Sequence, residues 1–411
     1  MAGFLRRRDV LTQGLCGCGL VVAGWPASAR VNPMSLAPLV HPGYVPADAD
    51  ERGLWQQCEE FEYELASSNL LLQDPTVQSY VHAITNRLLG ERDFGIRTYV
   101  VRDAEFNASM FPNGMMLVHT GLLARMRNEA QLAAVLGHEC GHYLRRHSLE
   151  RHRDLKRKSA AAAIVGLAAA GATGATGSNW FDLANSINTM LVLSVYTFSR
   201  GQESEADAYG LKLLAECGYM PGAAAAVWAQ IIAERKASAV ARKKRYRDHS
   251  ASEYSTHPPS QERMEDLAAS ADDIASRVHD SREFEDRRAE WLALAAPIRF
   301  SLLEEQIKLN DPGASLYLLE SLAVDGWTGT LRFFEGEAYR LRGGVDDVAR
   351  ATAAYLAAVA FTDAPPEAWR AHGYAQIQSG HADDGRRALA HYLELKPDAV
   401  DAAMVRFTLV Q

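Results

Sequence analysis

Apolar residues recur at helical spacing over 51–90, around Leu54, Phe61, Leu65 and Leu70 to Leu72, which predicts helix there. The pattern then changes. Residues 96–102, Ile-Arg-Thr-Tyr-Val-Val-Arg, predict a strand. Ala104 to Leu122 is again rich in β-formers and contains Asn113-Gly114, a dipeptide that readily turns a hairpin, so strands are expected on both sides of it. From Asn128 the helical period returns, with Asn128 as the cap, Glu129 in the first turn, and Leu132, Val135, Leu136 and Tyr143 on one stripe. Glu203 to Lys236 is helical in pattern with a break at Gly218 to Gly222, and beyond about residue 298 the chain becomes a series of short amphipathic helices. The fold class expected is α+β, mainly helical, with a small sheet followed by an all-α region.

Three stretches carry further signals. Trp369, Gly373, Leu389 and Pro397 occupy the first-helix, second-helix and terminal-proline positions of a tetratricopeptide repeat, which makes 366–399 one repeat. Gly336 and Tyr339 mark a weaker copy. Stacked helix pairs of this kind present a concave surface for other chains. Residues 159–198 are apolar and rich in Ala and Gly, but neither half reaches the ~20 strongly apolar residues of a spanning helix. They fit either a buried helical pair or a hairpin in peripheral contact with a membrane. The basic cluster Arg242, Lys243, Lys244, Arg245 and Arg247 fits a solvated face.

At 411 residues the chain is long enough for two or three domains. Its first 29 residues look unlike part of a fold. Arg6 to Arg8 form a basic start, Leu15 to Trp25 a short apolar stretch, and Ala27-Ser28-Ala29 a small-residue cleavage site, the layout of a secretory signal peptide. Arg7-Arg8-Asp9-Val10-Leu11 also resembles a twin-arginine signal, which implies a bacterial periplasmic destination. A lipobox with Cys18 lipidated is the alternative. The domains expected are the signal peptide 1–29, a linker 30–50, a catalytic domain 51–297 and a repeat-like helical domain 298–411. The net charge of −8 argues against nucleic acid as a partner. Cleavage at Ala29 leaves Cys58, Cys140 and Cys217, which form no disulfide framework; a Cys58–Cys217 bridge is open, and Cys140 is expected to be a buried apolar residue.

The chemistry is concentrated in His138-Glu139-Cys140-Gly141-His142. Residues i and i+4 share a helix face, so both imidazoles can reach one ion. Neutral imidazole suits zinc, and a catalytic zinc keeps three protein ligands plus water. Glu139, beside the first His, is placed to take a proton from that water. Flanking apolar residues predict a buried helix, where two His and a Glu are costly unless they hold something. A third ligand is offered by Ser199 to Asp207, which contains Glu203, Glu205 and Asp207. One carboxylate there can complete the site while another orients a ligand His through its second ring nitrogen. Spacing alone leaves Glu203 and Glu205 open.

Taken in order, His-Glu-Cys-Gly-His, Ser-Arg-Gly-Gln-Glu-Ser-Glu-Ala-Asp, and Ser255-Thr256-His257-Pro258-Pro259-Ser260 with Arg263 resemble the signatures of the HtpX- and BepA-type zinc metallopeptidases, with Asn107-Ala108 and Thr120-Gly121-Leu122 fitting around the hairpin. The export signal and repeats resemble the periplasmic BepA-like branch. The resemblance implies one Zn2+ per chain held by His138, His142 and Glu203, with Asp207 behind a ligand. It implies a gluzincin-like fold in which the edge strand, expected at Met115 to His119, pairs with substrate backbone. For His257 it implies either a donor to the oxyanion or a loop that folds over the zinc and keeps the enzyme latent. The function expected is a zinc endopeptidase for misfolded or misassembled envelope proteins, with partner docking through the repeats. The alternative is a chaperone or scaffold with a zinc-stabilised fold.

Overall fold

The computed structural model describes residues 33–157, 198–246, 260–277 and 283–410. The signal peptide with Cys18, nearly all of the apolar stretch 159–198, and His257 lie outside the described residues.

Helix boundaries follow from caps. Asp48 opens α1 (Ala49–Ala66) by accepting from the Glu51 N–H, and Asp74 opens α2 (Pro75–Leu88) by accepting from Thr76 and Val77, with Pro75 in the first turn. Between α2 and the next helices lies a three-stranded sheet of β1 (Arg97–Val101), β2 (Ala108–Met110) and β3 (Met115–His119), in the order β1-β3-β2. β3 runs parallel to β1 and antiparallel to β2. The hairpin turn needs Gly114: its φ is +86°, and a Cβ there would lie 2.5 Å from the Gly95 carbonyl oxygen.

This order corrects the expectation for the edge. Met115 to His119 is the central strand, which accounts for its unbroken apolar run and its burial at every position but the last. The outer side of β1 is covered by the chain at Leu70 to Leu72 and by Gln78, whose amide bonds Val100 on both its N–H and its C=O. Among the described residues, β2 is left as the strand with an unpaired side.

The hairpin leads into α3 (Thr120–Arg125) and α4 (Glu129–Leu144). Asn128 caps α4 by accepting from the Gln131 N–H, as its position predicts. Every residue of α4 except Val135 is buried. Its first turn is pinned by the Glu129 carboxylate, which accepts from the Tyr80 and Tyr219 hydroxyls and from Arg87. Helical residues 147–157 form α5. Next come α6 (Arg200–Glu216), opened by a Ser199/Gln202 capping box, then α7 (Ala223–Ala241), α8 (Gln261–Arg277) and α9 (Arg288–Lys308). A buried ion pair ties three of these elements together. Arg125 on α3 donates to Glu234 on α7 at 2.6 Å and to Gln306 on α9 at 2.9 Å.

The cores change over within α9: Leu302 packs with the cluster around α4, and Leu303 with that of the following helices. Those are α10 (Pro312–Leu322), α11 (Gly329–Arg342), α12 (Asp347–Val359), α13 (Pro366–Gln378), α14 (Ala382–Leu395) and α15 (Ala402–Leu409). α11 packs on α12 and α13 on α14. Gly336 lies under the Tyr355 ring and Gly373 against Leu389, at distances that exclude a Cβ. Among the described residues no helix is long and apolar enough to cross a membrane.

Replacing Arg125 by Met strands the Glu234 carboxylate in the interior, and is expected to cost about 3–5 kcal/mol in denaturant unfolding. Replacing both partners by Met should recover most of that loss.

Candidate metal centre

α4 places His138 and His142 one turn apart on the face that meets α6. Their Nε2 atoms are 3.0 Å apart. Glu203, in the first turn of α6, brings Oε2 to 3.6 Å from His138 Nε2 and Oε1 to 3.7 Å from His142 Nε2. The three ligand atoms fall within 4.8 Å of one another, and all three residues are buried. The reach depends on glycines where the helices touch. A Cβ on Gly141 would lie 2.9 Å from the Ala206 carbonyl oxygen, and one on Gly210 would lie 2.9 Å from the His138 nitrogen. Gly141, unfavourable for helix propensity, is therefore required by packing.

Each ligand imidazole is engaged through its other nitrogen. His138 Nδ1 lies 2.9 Å from Asp207 Oδ1, and His142 Nδ1 lies 2.9 Å from His147 Nδ1. A carboxylate only accepts, so the network assigns the His138 proton to Nδ1 and leaves the Nε2 lone pair facing its neighbours. Two inward imidazole nitrogens and a carboxylate in a buried pocket are the donor set of a zinc site, and the residues present fit that ion.

A cation from α8 frames the group. Arg263 makes two bonds to Asp207, at 2.5 and 2.7 Å, and approaches Glu203 Oε2 at 2.8 Å, while its guanidinium lies 4.2 Å from the centre of the Trp228 ring. Burial favours a neutral Asp207, yet the Arg263 charge and the bonds from Arg263 and His138 hold its carboxyl well below the usual range. Burial and the Arg263 charge push the His138 imidazole below its ordinary value, and burial does the same to His147.

Glu139 is 1% exposed and lies beside the ligands. A small cleft opens there, between His138 and Glu139 on one side and Phe106, Ala108, Trp228 and Leu267 on the other. Ala108 belongs to β2, so the strand with a free side among the described residues is the one that borders the cleft. Cys140 is fully buried, its thiol pushed up by burial and by the Glu139 charge, as fits a packing residue. Cys58, Cys140 and Cys217 are all free.

The structure brings His138, His142 and Glu203 together, with Asp207 behind His138. Glu205, which spacing left open as a ligand, points the other way, to Arg145 at 2.5 Å and His147 at 3.2 Å. Sequence reasoning singled out Arg263 without giving it a role, and it passed over His147. The second had a signal: a histidine five residues after a ligand histidine begins the next turn-linked helix beside it.

Residues 75–271 match the model of peptidase family M48. That segment is a peptidase family M48 domain. The chain is 31% identical over 229 residues to mitochondrial metalloendopeptidase OMA1 of Schizosaccharomyces pombe, covering 54% of this chain and 60% of that protein. It is 30% identical over 173 residues to the β-barrel assembly-enhancing protease of Yersinia pestis, covering 39% and 34%. With OMA1 of Arabidopsis thaliana the match is 35% over 154 residues, covering 37% and 28%. The chain thus spans less than two thirds of the length of each of these relatives.

Gly210→Ala is expected to push α6 off α4 and to lower stability by about 1–3 kcal/mol, with metal content falling alongside. Thermal unfolding and metal analysis of the purified variant check both.

Proposed function

We propose that the chain is a zinc-dependent endopeptidase acting on polypeptides. The observation that carries this reading is the convergence of His138 Nε2, His142 Nε2 and Glu203 with Glu139 buried at their side. His138, His142 and Glu203 would hold the metal, which supplies Lewis acidity toward water and the scissile carbonyl when bound. Glu139 takes one proton from the attacking water as its oxygen bonds the carbonyl carbon, and delivers that proton to the amide nitrogen as the C–N bond breaks. Asp207 and Arg263 hold His138 and Glu203 in register throughout. A substrate strand laid along β2 would be bound through main-chain hydrogen bonds, which tolerate many sequences.

The finer assignments rest on the sequence. An exported, periplasmic protein with misassembled envelope proteins as substrates fits the signal-peptide layout, and one group of relatives bears the name of a β-barrel assembly-enhancing protease. The helices from 298 onward would dock partner proteins, and 159–198 would either pack as a buried helical pair or touch a membrane surface. His257 would act either as a donor to the oxyanion or as an inhibitory occupant of the site.

Glu139→Gln separates this reading from a chaperone or scaffold. Cleavage of an unfolded polypeptide is expected to fall by about 10²–10⁴ in kcat/KM, with zinc retained. Zinc-loaded protein, both wild type and His257→Ala, that never cleaves an unfolded polypeptide would overturn the peptidase reading.

A further inference from the structure

We propose that His147 is a positioning residue for the metal centre: it fixes the tautomer and ring orientation of His142, and is itself held by Glu205. The inference rests on the reading of His142 as a ligand through Nε2 and goes beyond it.

The two ligand histidines are supported differently. His138 has a carboxylate behind it, Asp207. His142 has another imidazole, with His147 Nδ1 at 2.9 Å from its Nδ1. Two imidazole nitrogens form a hydrogen bond only if one donates and the other accepts. The next contact decides which. His147 Nε2 lies 3.2 Å from Glu205 Oε2, and a carboxylate accepts, so His147 carries its proton on Nε2 and presents a lone pair at Nδ1. His142 must therefore donate from Nδ1, which leaves its Nε2 unprotonated and directed at Glu203 and His138.

The chain is anchored at its far end. Arg145 holds Glu205 at 2.5 Å and donates to the Ala37 carbonyl at 2.6 Å. The Phe198 ring stacks on His142 with centroids 3.8 Å apart, which fixes the imidazole plane. His142 is fully buried and His147 is 1% exposed, so water does not substitute for either contact. Outer partners of metal-bound histidines typically change metal affinity by about 10–100-fold when lost.

Three substitutions separate orientation from packing. His147→Asn places an amide oxygen where Nδ1 was, keeping the acceptor for His142 and losing the bond to Glu205. His147→Gln keeps a donor toward Glu205 and loses that acceptor. His147→Leu fills the space and loses both. In chelator-competition titrations with zinc, the Asn variant is expected within about 3-fold of wild type, and the Gln and Leu variants to bind about 10–100-fold more weakly. The visible spectrum of the cobalt-loaded protein should shift in the Gln and Leu variants and stay in place in the Asn variant. Equal affinities in all four proteins would overturn the proposal. So would an Asn variant as weak as the Leu variant, or weakening that follows the unfolding temperature of the metal-free proteins. His142→Ala is the control. Undiminished zinc binding there would sink the ligand assignment itself. Loss of zinc in His142→Ala with wild-type affinity in His147→Leu would sink only the role of His147.

Discussion

The site depends on how closely α4 and α6 approach. A glutamate side chain is short, and Glu203 reaches His138 and His142 only because the two helices meet through Gly137, Gly141, Ala206 and Gly210. Close-packed interiors transmit a misplaced methyl group as a rigid shift. At this contact such a shift would separate the carboxylate from the imidazoles. Glycine in a helix costs roughly 1 kcal/mol relative to alanine, so these residues trade local helix stability for the geometry of the ligand group.

Closeness brings a second constraint, charge. Glu139 and Glu203 are buried, Asp207 is largely shielded behind His138, and carboxylates so placed are unfavourable without compensation. Arg263 answers two of them, bonding Asp207 through two nitrogens and meeting Glu203 through a third. A bound dication would balance the remainder. Burial first, and then the charge of the same arginine, disfavour the protonated form of His138, which favours the neutral imidazole a ligand must be. One residue on α8 thus sets the electrostatics of ligands on α4 and α6.

How much of this was legible follows from the range of each interaction. His138, Glu139 and His142 are readable because i and i+4 on one helix is a local rule. The Asn128 cap is local in the same sense. The choice between Glu203 and Glu205 was not, since they lie two residues apart near the start of α6 and differ in which neighbours each faces. The edge position of Met115 to His119 was an implication of the resemblance, and the hairpin signal could not correct it, because it gives pairing within the hairpin and says nothing of the parallel partner, β1, that arrives from earlier in the chain. Gly141 is unfavourable by helix propensity, and its reason lies in the backbone of α6, more than sixty residues away.

The supports of the two histidines divide the chain into two arms. His138 is held from α6 and α8 through Asp207 and Arg263, and His142 from α5 and α6 through His147 and Glu205. Both arms return to α6, whose first half carries Glu203 and Asp207 on one face and Glu205 on another. None of these contacts exists in an unfolded chain, so the ligand group forms only when α4, α5, α6 and α8 have assembled. Metal that binds the assembled group and not the unfolded chain must then stabilise the whole arrangement by mass action. A peptidase domain built this way couples its stability to the same ion that its chemistry requires.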